Sequence, residues 1–484
     1  MSAEADLVMG LAVYFLIFFT AVRIIYDTGN SSKALGYLLL VVTLPVVGSF
    51  IYFTLGVNYR KQRIYSKKLR ANTRLVKSIR ERYRAATERL IERNAPQLGG
   101  HADLAELLFK ESLEPLSPNK VTLLTNGEGK FPSVLEALQS ARQHIHIEYY
   151  IYEEDAIGSQ IMEVVMSKAR EGVKVRFIYD DFGSSRLSRR FLNRLKESGV
   201  EAYPFYRVYL PILASRINYR NHRKIVVVDG KVGFVGGINV ADRYLNGKVT
   251  AKYWRDTHVR IEGPAVWSLQ YPFLADWNFC SGQNVAPSEE LFPQARATAA
   301  DARELVQIVA GGPDYPQPTI MLSYFAAIAA AKERVYLTSP YFIPNISIFD
   351  ALRKAGLCGK DVRILVPRSS DLSFVDAASR SYFLDLLECG VKIYLYKKGV
   401  VHTKSLVVDD CLSIVGTANV DYRSFDLNFE INAVIYGKEF CAEAAASFLR
   451  DLEDSVQIDL NRWRQRSKLE VLFDNTARLC SPLL

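Results

Sequence analysis

Two stretches of the chain carry the same pattern: a histidine, a lysine two residues later and an aspartate seven residues after the histidine. The first holds His222, Lys224 and Asp229, and the second, 180 residues further on, holds His402, Lys404 and Asp409. Each pattern opens an apolar, β-branched run, so a strand there would project the His and the Lys from one face. An imidazole beside an ammonium group suits proton transfer and the stabilisation of developing negative charge. The odd interval puts the aspartate on the other face or in the closing turn, which indicates a structural role.

The two copies continue with matching residues downstream. A Gly follows each motif His by 14 residues and an Asn by 17, and these asparagines are Asn239 and Asn419. Further on, a carboxylate stands seven residues before a Gly in both copies, at Asp256 and Glu430. One short motif arises by chance in a long chain, but two copies with the same extension do not.

These residues resemble the signature of the phospholipase D superfamily, and the whole chain resembles its bacterial cardiolipin synthases. The resemblance implies a membrane transphosphatidylase that joins two phosphatidylglycerol molecules into cardiolipin and releases glycerol, with no metal and no cofactor. It also implies that the motif aspartates, Asp229 and Asp409, belong to the catalytic residues. Gly237 departs from the family pattern, which usually has Ser or Thr there, as Thr417 is in the second half. This departure leaves one hydrogen bond to substrate in question.

Phosphodiester exchange needs a nucleophile, a proton donor for the leaving alkoxide, and positive charge around the phosphorane. One imidazole would attack phosphorus to form a phosphohistidine, while the other protonates glycerol and then acts as base on the incoming hydroxyl. The resemblance favours His222 as the nucleophile and His402 as the acid. The groups expected to hold the non-bridging oxygens are Lys224, Lys404, Asn239 and Asn419. Asp256 and Glu430 would each fix the tautomer of a histidine.

Two alternatives stay open beside the transferase. One is a hydrolase of the same superfamily that acts on phospholipid or nucleic acid, and the other is a non-catalytic membrane scaffold on a duplicated fold. The N-terminal apolar segments favour lipid, and the intact His and Lys of both halves count against a scaffold. The expected partners are therefore phosphatidylglycerol and anionic membrane lipids, with no nucleic acid. The sequence leaves the oligomeric state open.

The basic charge of the chain is concentrated in one segment. The net charge is +9, and residues 58–94 hold 13 Lys or Arg against 3 acidic residues, a net of +10, so the rest of the chain nets −1. This distribution predicts a local electrostatic contact, not a nucleic-acid groove over the catalytic region. Six cysteines without any C-x-x-C pair argue against a zinc site or a disulfide framework and indicate a reducing, cytosol-facing compartment.

Two apolar runs near the N-terminus, Leu7–Val22 and Ala34–Val57, are predicted to cross the membrane as helices. Basic residues crowd behind the second run, so the positive-inside rule puts that side and the catalytic region in the cytoplasm. The expected location is the cell membrane, with several spans. A basic helix from Tyr59 to about Glu92 is expected to lie on the anionic surface.

Beyond residue 119 the sequence alternates strand and helix signals twice over, which predicts an α/β fold made of two phospholipase D-like halves, each a mixed sheet flanked by helices. The predicted segments are a hairpin over 1–58, a basic helix and linker over 59–118, the first half over 119–282, a linker over 283–302, the second half over 303–455 and a tail over 456–484. The first half holds 11 extra residues, around Tyr206–Arg216, before its motif. They predict either a lid that touches lipid or an ordinary packed loop.

Overall fold

The computed structural model of the chain describes residues 3–28, 31–53, 84–112, 114–206, 219–247, 252–293, 302–370 and 372–481. In chain order the strands are β1 (Ser117–Thr125), β2 (His144–Tyr149), β3 (Lys174–Asp180), β4 (Glu201–Phe205), β5 (Ile225–Val228), β6 (Val232–Gly236), β7 (Tyr253–Arg255), β8 (Thr257–Glu262), β9 (Glu304–Gly311), β10 (Arg334–Thr338), β11 (Asp361–Pro367), β12 (Lys392–Tyr396), β13 (Gly399–Val401), β14 (Ser405–Val408), β15 (Leu412–Gly416), β16 (Glu430–Tyr436) and β17 (Ser455–Gln457).

Helices connect and cover these strands. They span Ala95–Leu98, Ala102–Ser112, Asn126–Ser140, Ala156–Arg170, Arg189–Glu197, Val266–Ser281, Thr319–Ala330, Ile346–Leu357, Ser373–Arg380, Phe383–Glu388, Tyr422–Asp426, Lys438–Glu453, Leu460–Arg464 and Lys468–Leu479. Several begin at side chains that accept a backbone N–H of the first turn, as Asp155, Ser188 and Asn345 do.

The strands of the two halves follow the same order within a single 15-stranded sheet. The first half runs β1-β8-β6-β5-β2-β3-β4, and the second runs β9-β16-β15-β14-β10-β11-β12 and ends on the edge strand β17. In each half three neighbouring strands pair in parallel, β2-β3-β4 in the first and β10-β11-β12 in the second. The other neighbours in the sheet pair antiparallel. Strands β1 and β9 join the halves through an antiparallel pairing at Ser117–Asn119. The predicted duplication of a mixed α/β sheet is therefore confirmed.

The strands that carry the motifs are buried on both faces. Val226 and Val228 of β5 pack into the apolar cluster of the first half, whereas Ile225 and Val227 pack into a second cluster shared by both halves. A strand that is apolar at every position is what a sheet with helices on both faces requires. The residues just before such a strand are consequently held in a rigid position.

Two short parallel contacts cross from one half to the other at the motif histidines. Strand β13 pairs with β7, and an isolated bridge joins Asn221 to Phe429. The backbone N–H of His402 donates to the carbonyl of Arg255 at 2.7 Å, and that of His222 donates to the carbonyl of Phe429 at 2.9 Å. Each motif histidine is thus fixed by the residue that directly precedes the downstream carboxylate of the other half.

The N-terminal region contains the helices Ala3–Asp27, Ser31–Thr43 and Pro45–Ile51. Within the described residues, Leu7–Asp27 is the one segment long and apolar enough to cross a membrane. The second predicted span, Ala34–Val57, is not one continuous helix up to residue 53. Pro45 has no N–H to donate to the preceding turn, so the helix is interrupted at Leu44.

The two N-terminal segments nevertheless lie side by side. The hydroxyl of Thr20 donates to that of Ser49 at 3.1 Å, and the rings of Phe19 and Phe53 stack at 6.3 Å. Most of the basic segment over 59–92, the extra residues after Tyr206 and part of the linker over 283–302 lie outside the described residues. The segment boundaries given above stay predictions.

Candidate active site

The first motif histidine contacts a carboxylate of the second half. Nδ1 of His222 lies 2.9 Å from both carboxylate oxygens of Glu430. When Glu430 is ionised it only accepts hydrogen bonds, so this contact then places the proton on Nδ1 and leaves Nε2 with its lone pair. Glu430 is buried and accepts further hydrogen bonds from the hydroxyl of Thr417 at 2.5 Å and the amide of Asn428 at 3.3 Å.

The second motif histidine makes the reciprocal contact. Nδ1 of His402 lies 2.7 Å from Oδ2 of Asp256, whose other oxygen accepts the backbone N–H of Thr257 at 2.7 Å. The carboxylates are fully buried, while the imidazoles keep 12% and 16% of their surface exposed. The two His–carboxylate pairs therefore cross between the halves and form one site in which part of each imidazole stays exposed.

The motif lysines lie beside the histidines on the same face of the chain, as predicted from their spacing. Nζ of Lys224 donates to the carbonyl of His222 at 2.6 Å, and Nζ of Lys404 donates to that of His402 at 2.5 Å. Burial lowers the pKa of Lys224 to about 7 and that of Lys404 to about 8. An anion that enters the site favours the charged form of both ammonium groups.

Burial sets the protonation of the imidazoles as well. It lowers the pKa of His222 well below its usual range, and Lys224 and Lys404 lower that pKa further. Burial and the charge of Lys404 lower the pKa of His402 to about 4, although Asp256 acts in the opposite direction. Both imidazoles are neutral near pH 7 in the ligand-free site, which is the form that a nucleophile needs.

The two carboxylates differ in charge. Burial raises the pKa of Glu430 to about 7, against the influence of Lys224. Burial also acts to raise the pKa of Asp256, but the contacts with His402 and Lys404 outweigh it, so this pKa is lowered. Asp256 is the firmly ionised member of the two, and His402 is the imidazole beside it.

The structure does not bring the motif aspartates to the imidazoles. Asp229 lies at the far end of β5 and accepts the backbone N–H groups of residues 142–144 at 2.8–2.9 Å. Asp409 repeats this with residues 332–334 at 2.8–3.0 Å. Both aspartates have positive φ, +52° and +51°, as in a tight turn. These contacts match the structural role that the odd spacing indicates, and they give no support to the catalytic role that the resemblance implies.

The motif asparagines lie in equivalent loops but have different partners. The side chain of Asn239 accepts from the backbone N–H of Ile151 at 3.1 Å and donates to the hydroxyl of Tyr244 at 3.0 Å. Asn419 donates to Asp421 at 3.1 Å, and its Oδ1 has no hydrogen-bond partner among the described residues. Local contacts occupy Asn239, so in this state its amide positions the loop. Contact of either asparagine with substrate stays a prediction.

The first half has Gly237 where the second half has Thr417, and the carboxylate beside each position explains the difference. A Cβ on Gly237 would lie 2.2 Å from Oδ1 of Asp256, so no larger residue fits there unless the carboxylate moves. Thr417 is fully buried and donates its hydroxyl to Glu430. This position supports the carboxylate in the second half, and its hydroxyl is engaged by Glu430.

Three further side chains complete the site, and no motif marks them. The ring of Tyr150 lies 5.0 Å from that of His222, nearly edge-on, and the ring of Trp254 lies 5.5 Å from that of His402. The buried ammonium of Lys130 donates to the carbonyls of Ile238 and Asn239 at 2.8 and 3.1 Å. Trp254 could have been found from its place two residues before Asp256, but Tyr150 and Lys130 carry no comparable signal.

Comparisons with known proteins agree with this geometry. The family model described as the cardiolipin synthase, phospholipase D-like domain matches residues 134–265 and 324–452, one stretch in each half. The chain is 42% identical over 470 residues to a cardiolipin synthase from Alkalihalophilus pseudofirmus, a match that covers 97% of this chain and 92% of the relative. It is 36% identical to a cardiolipin synthase from Listeria monocytogenes serotype 4a, over 98% of this chain and 100% of the relative.

A solved structure shares the fold at low sequence identity. The phosphatidylserine synthase of Haemophilus influenzae superimposes with a TM-score of 0.59 at 14% identity, over 78% of this chain and 98% of that one. This likeness concerns the fold alone, whereas the sequence matches extend over nearly the whole chain and both halves of the site. The chain therefore belongs to the cardiolipin synthase family of phospholipase D-like enzymes.

Proposed function

We propose that this chain joins two phosphatidylglycerol molecules into cardiolipin, with release of glycerol, through a phosphohistidine on His222. The observation that carries the proposal is the crossed pairing of His222 with Glu430 and of His402 with Asp256. The pairing supports a single site that needs both halves, with one histidine as the proposed nucleophile and the other as the proposed proton donor. Family membership supports the lipid substrate and the transfer of a phosphatidyl group.

In the first step Nε2 of His222 attacks the phosphorus of one phosphatidylglycerol. The P–N bond forms as the bond from phosphorus to the glycerol headgroup breaks. His402, which takes up a proton beside Asp256 when the anionic substrate binds, passes that proton to the leaving oxygen. The ammonium groups of Lys224 and Lys404 stabilise the charge on the non-bridging oxygens. Glycerol leaves, and the phosphatidyl group stays on His222.

In the second step a hydroxyl of another phosphatidylglycerol attacks the same phosphorus. Its proton passes to the now neutral His402, the P–N bond breaks, and cardiolipin is released with His222 restored. The unequal carboxylates support this assignment of roles. Ionised Asp256 favours the imidazolium form of His402 that the acid requires, while Glu430, with a pKa of about 7, allows His222 to stay neutral.

The direct test is to incubate the full-length protein with labelled phosphatidylglycerol and to separate the lipid products. Cardiolipin and free glycerol are expected. Phosphatidic acid as the main product would instead support the hydrolase, because water would then have replaced the lipid hydroxyl in the second step.

The roles of the histidines are tested with H222A and H402A. Both variants should lose cardiolipin synthesis. With a phosphodiester whose p-nitrophenolate leaving group needs no proton, H402A should still release a burst of nitrophenol and trap a phosphoenzyme on His222. Trapping on His402 in H222A, with none in H402A, would reverse the assignment.

The membrane arrangement is proposed on a separate basis. Leu7–Asp27 is apolar and long enough to span, and the interrupted helices that follow lie beside it, so we place both segments in the cell membrane as two passes. The basic residues after the second segment put the catalytic region on the cytoplasmic side. Reporter fusions after residue 28 and at the C-terminus should report opposite sides of the membrane.

A further inference from the structure

The residues around His222 alternate between two environments. The backbone from 220 to 222 is extended, because the N–H of Phe429 donates to the carbonyl of Arg220 and its carbonyl accepts from His222, both at 2.9 Å. Side chains then alternate sides. Asn221 and Arg223 point inward, where they bond Glu148 and Asp276 in a buried network. Arg220, His222 and Lys224 share the opposite side of the chain, which is the side of the site.

The guanidinium of Arg220 is buried without a full set of partners. Its side chain is 6% exposed, and neither Nη1 nor Nη2 has a hydrogen-bond partner among the described residues. The nearest carboxylate, Asp180, is 3.9 Å away, and its oxygens already accept the backbone N–H groups of Phe182, Gly183 and Asn221. Buried donors left unpaired cost free energy, and a ligand that accepts from them recovers it.

Arg220 lies next to the reactive histidine. Residues two apart on an extended chain are separated by about 6.6 Å. Tyr150 is close enough to Arg220 to influence it electrostatically, and its ring is edge-on to His222 at 5.0 Å. One face of the guanidinium is covered by the ring of Phe182 at 4.5 Å. The planar donors are therefore held between Phe182 and Tyr150, on the side of the chain that His222 and Lys224 share.

The second half has no cation at the position equivalent to Arg220. The residue two before His402 is Val400, so the near-symmetry of the site ends at this position. A phosphatidylglycerol that acts as acceptor brings a second phosphate, three carbons away from its attacking hydroxyl. A guanidinium binds such a group with two parallel hydrogen bonds.

We propose that Arg220 binds the phosphate of the acceptor phosphatidylglycerol and so directs the phosphoenzyme to a lipid hydroxyl in preference to water or glycerol. This inference rests on the proposed function. It makes Arg220 a specificity residue for the second step, while the first step depends on the two histidines and the two lysines.

The test compares two acceptors that share the same phosphoenzyme. Labelled glycerol exchanges into phosphatidylglycerol by the reverse of the first step, and glycerol carries no phosphate. In R220Q, cardiolipin formation should fall about 10- to 100-fold, the effect of removing a charged hydrogen bond, while glycerol exchange stays within about threefold. R220K keeps the charge without the planar pair of donors, so its rate of cardiolipin formation should lie between those of R220Q and the wild type.

The matched control is R186Q, because Arg186 is 74% exposed and contacts only Glu153 at the surface among the described residues; both reactions should be unchanged. Thermal unfolding of each variant reports folding. An equal fall of both reactions in folded R220Q and R220K, or no fall in either, would overturn the inference. A wild-type protein that gives phosphatidic acid and no cardiolipin would count against the proposed function instead.

Discussion

Asp256 and Glu430 occupy equivalent places in the two halves, yet their pKa values are shifted in opposite directions. The shorter carboxylate stands where Gly237 leaves room for it, and the longer one reaches its histidine with the help of Thr417. In the proposed mechanism His402 becomes a cation and His222 does not. The charge of the neighbouring carboxylate should therefore matter more at His402.

We expect D256N to be more damaging than E430Q. Asparagine still accepts from Nδ1 of His402 but offers no charge to an imidazolium, so kcat should fall roughly 10²- to 10⁴-fold. Glutamine at 430 replaces a group whose pKa is already about 7, so kcat should fall only about tenfold. Steady-state kinetics with phosphatidylglycerol measure both. A larger fall of kcat in E430Q than in D256N would indicate that the two histidines have the opposite roles.

The lowered pKa values of the lysines predict that anion binding takes up protons. A bound anion raises the pKa of Lys224 from about 7 and that of Lys404 from about 8. The complex then holds more protons than the free site, so affinity is highest at low pH and falls as pH rises above these values. Calorimetric titration with sulfate, which does not titrate in this range, should show proton uptake and weaker binding at pH 9 than at pH 7. Affinity that is independent of pH would show that the lysines are already charged.

At the scale of elements, the motif aspartates tie strand ends together. Each joins the end of its motif strand to the start of the neighbouring strand, β2 or β10, through three backbone N–H groups. D229A would leave these donors unpaired and put Ala at φ +52°. The free energy of unfolding should fall by roughly 2–4 kcal/mol, while the folded fraction keeps much of its activity.

The control for this change is D410A. The side chain of Asp410 is 67% exposed and makes a surface ion pair, so its loss should cost less than about 1 kcal/mol. Thermal unfolding in detergent, together with kcat per folded molecule, separates the two roles. A D229A protein with unchanged unfolding and no turnover would place Asp229 in the chemistry.

Much of the element pattern could be predicted from the sequence, because apolar runs of period two alternate with amphipathic helical segments. The predicted alternation beyond residue 119 is present in both halves: β2 and the helix Ala156–Arg170 of the first half correspond to β10 and the helix Ile346–Leu357 of the second. The equal spacing of the two copies also picked out the histidines, the lysines and the downstream carboxylates that the structure brings together. These signals are local, so they can be recognised in the sequence without knowledge of the tertiary structure.

The crossing of the two pairs could not be predicted, because it depends on which segments pair across the molecule. No spacing in the chain shows that His222 meets Glu430, 208 residues away. The role proposed for Arg220 could not be predicted either, since it rests on the unpaired state of a buried group. The second apolar run was predicted as one helix because a hydropathy pattern does not register the N–H that Pro45 lacks.

At the scale of the whole molecule, the basic segment should govern how the enzyme meets its substrate surface. Neutralising Arg60, Lys61, Lys67 and Lys68 should raise the apparent KM for phosphatidylglycerol in anionic micelles at low salt and leave kcat unchanged. The difference from the wild type should shrink as salt rises, because exposed charges are screened. An unaltered KM at low salt would show that the segment does not contribute to lipid binding.

The crossed pairing also bears on how such a chain could arise. A protein with one copy of this fold holds a histidine and a carboxylate that do not meet each other, so it would complete the site only by associating with a second copy. Joining two copies in one chain replaces that concentration-dependent association with a permanent one. Once the copies are joined, each half can change on its own, so that one position holds arginine and its counterpart valine, and the pKa of one carboxylate is lowered while that of the other is raised. Identical subunits related by symmetry are denied that freedom, and a reaction that must tell a donor lipid from an acceptor lipid gains from it.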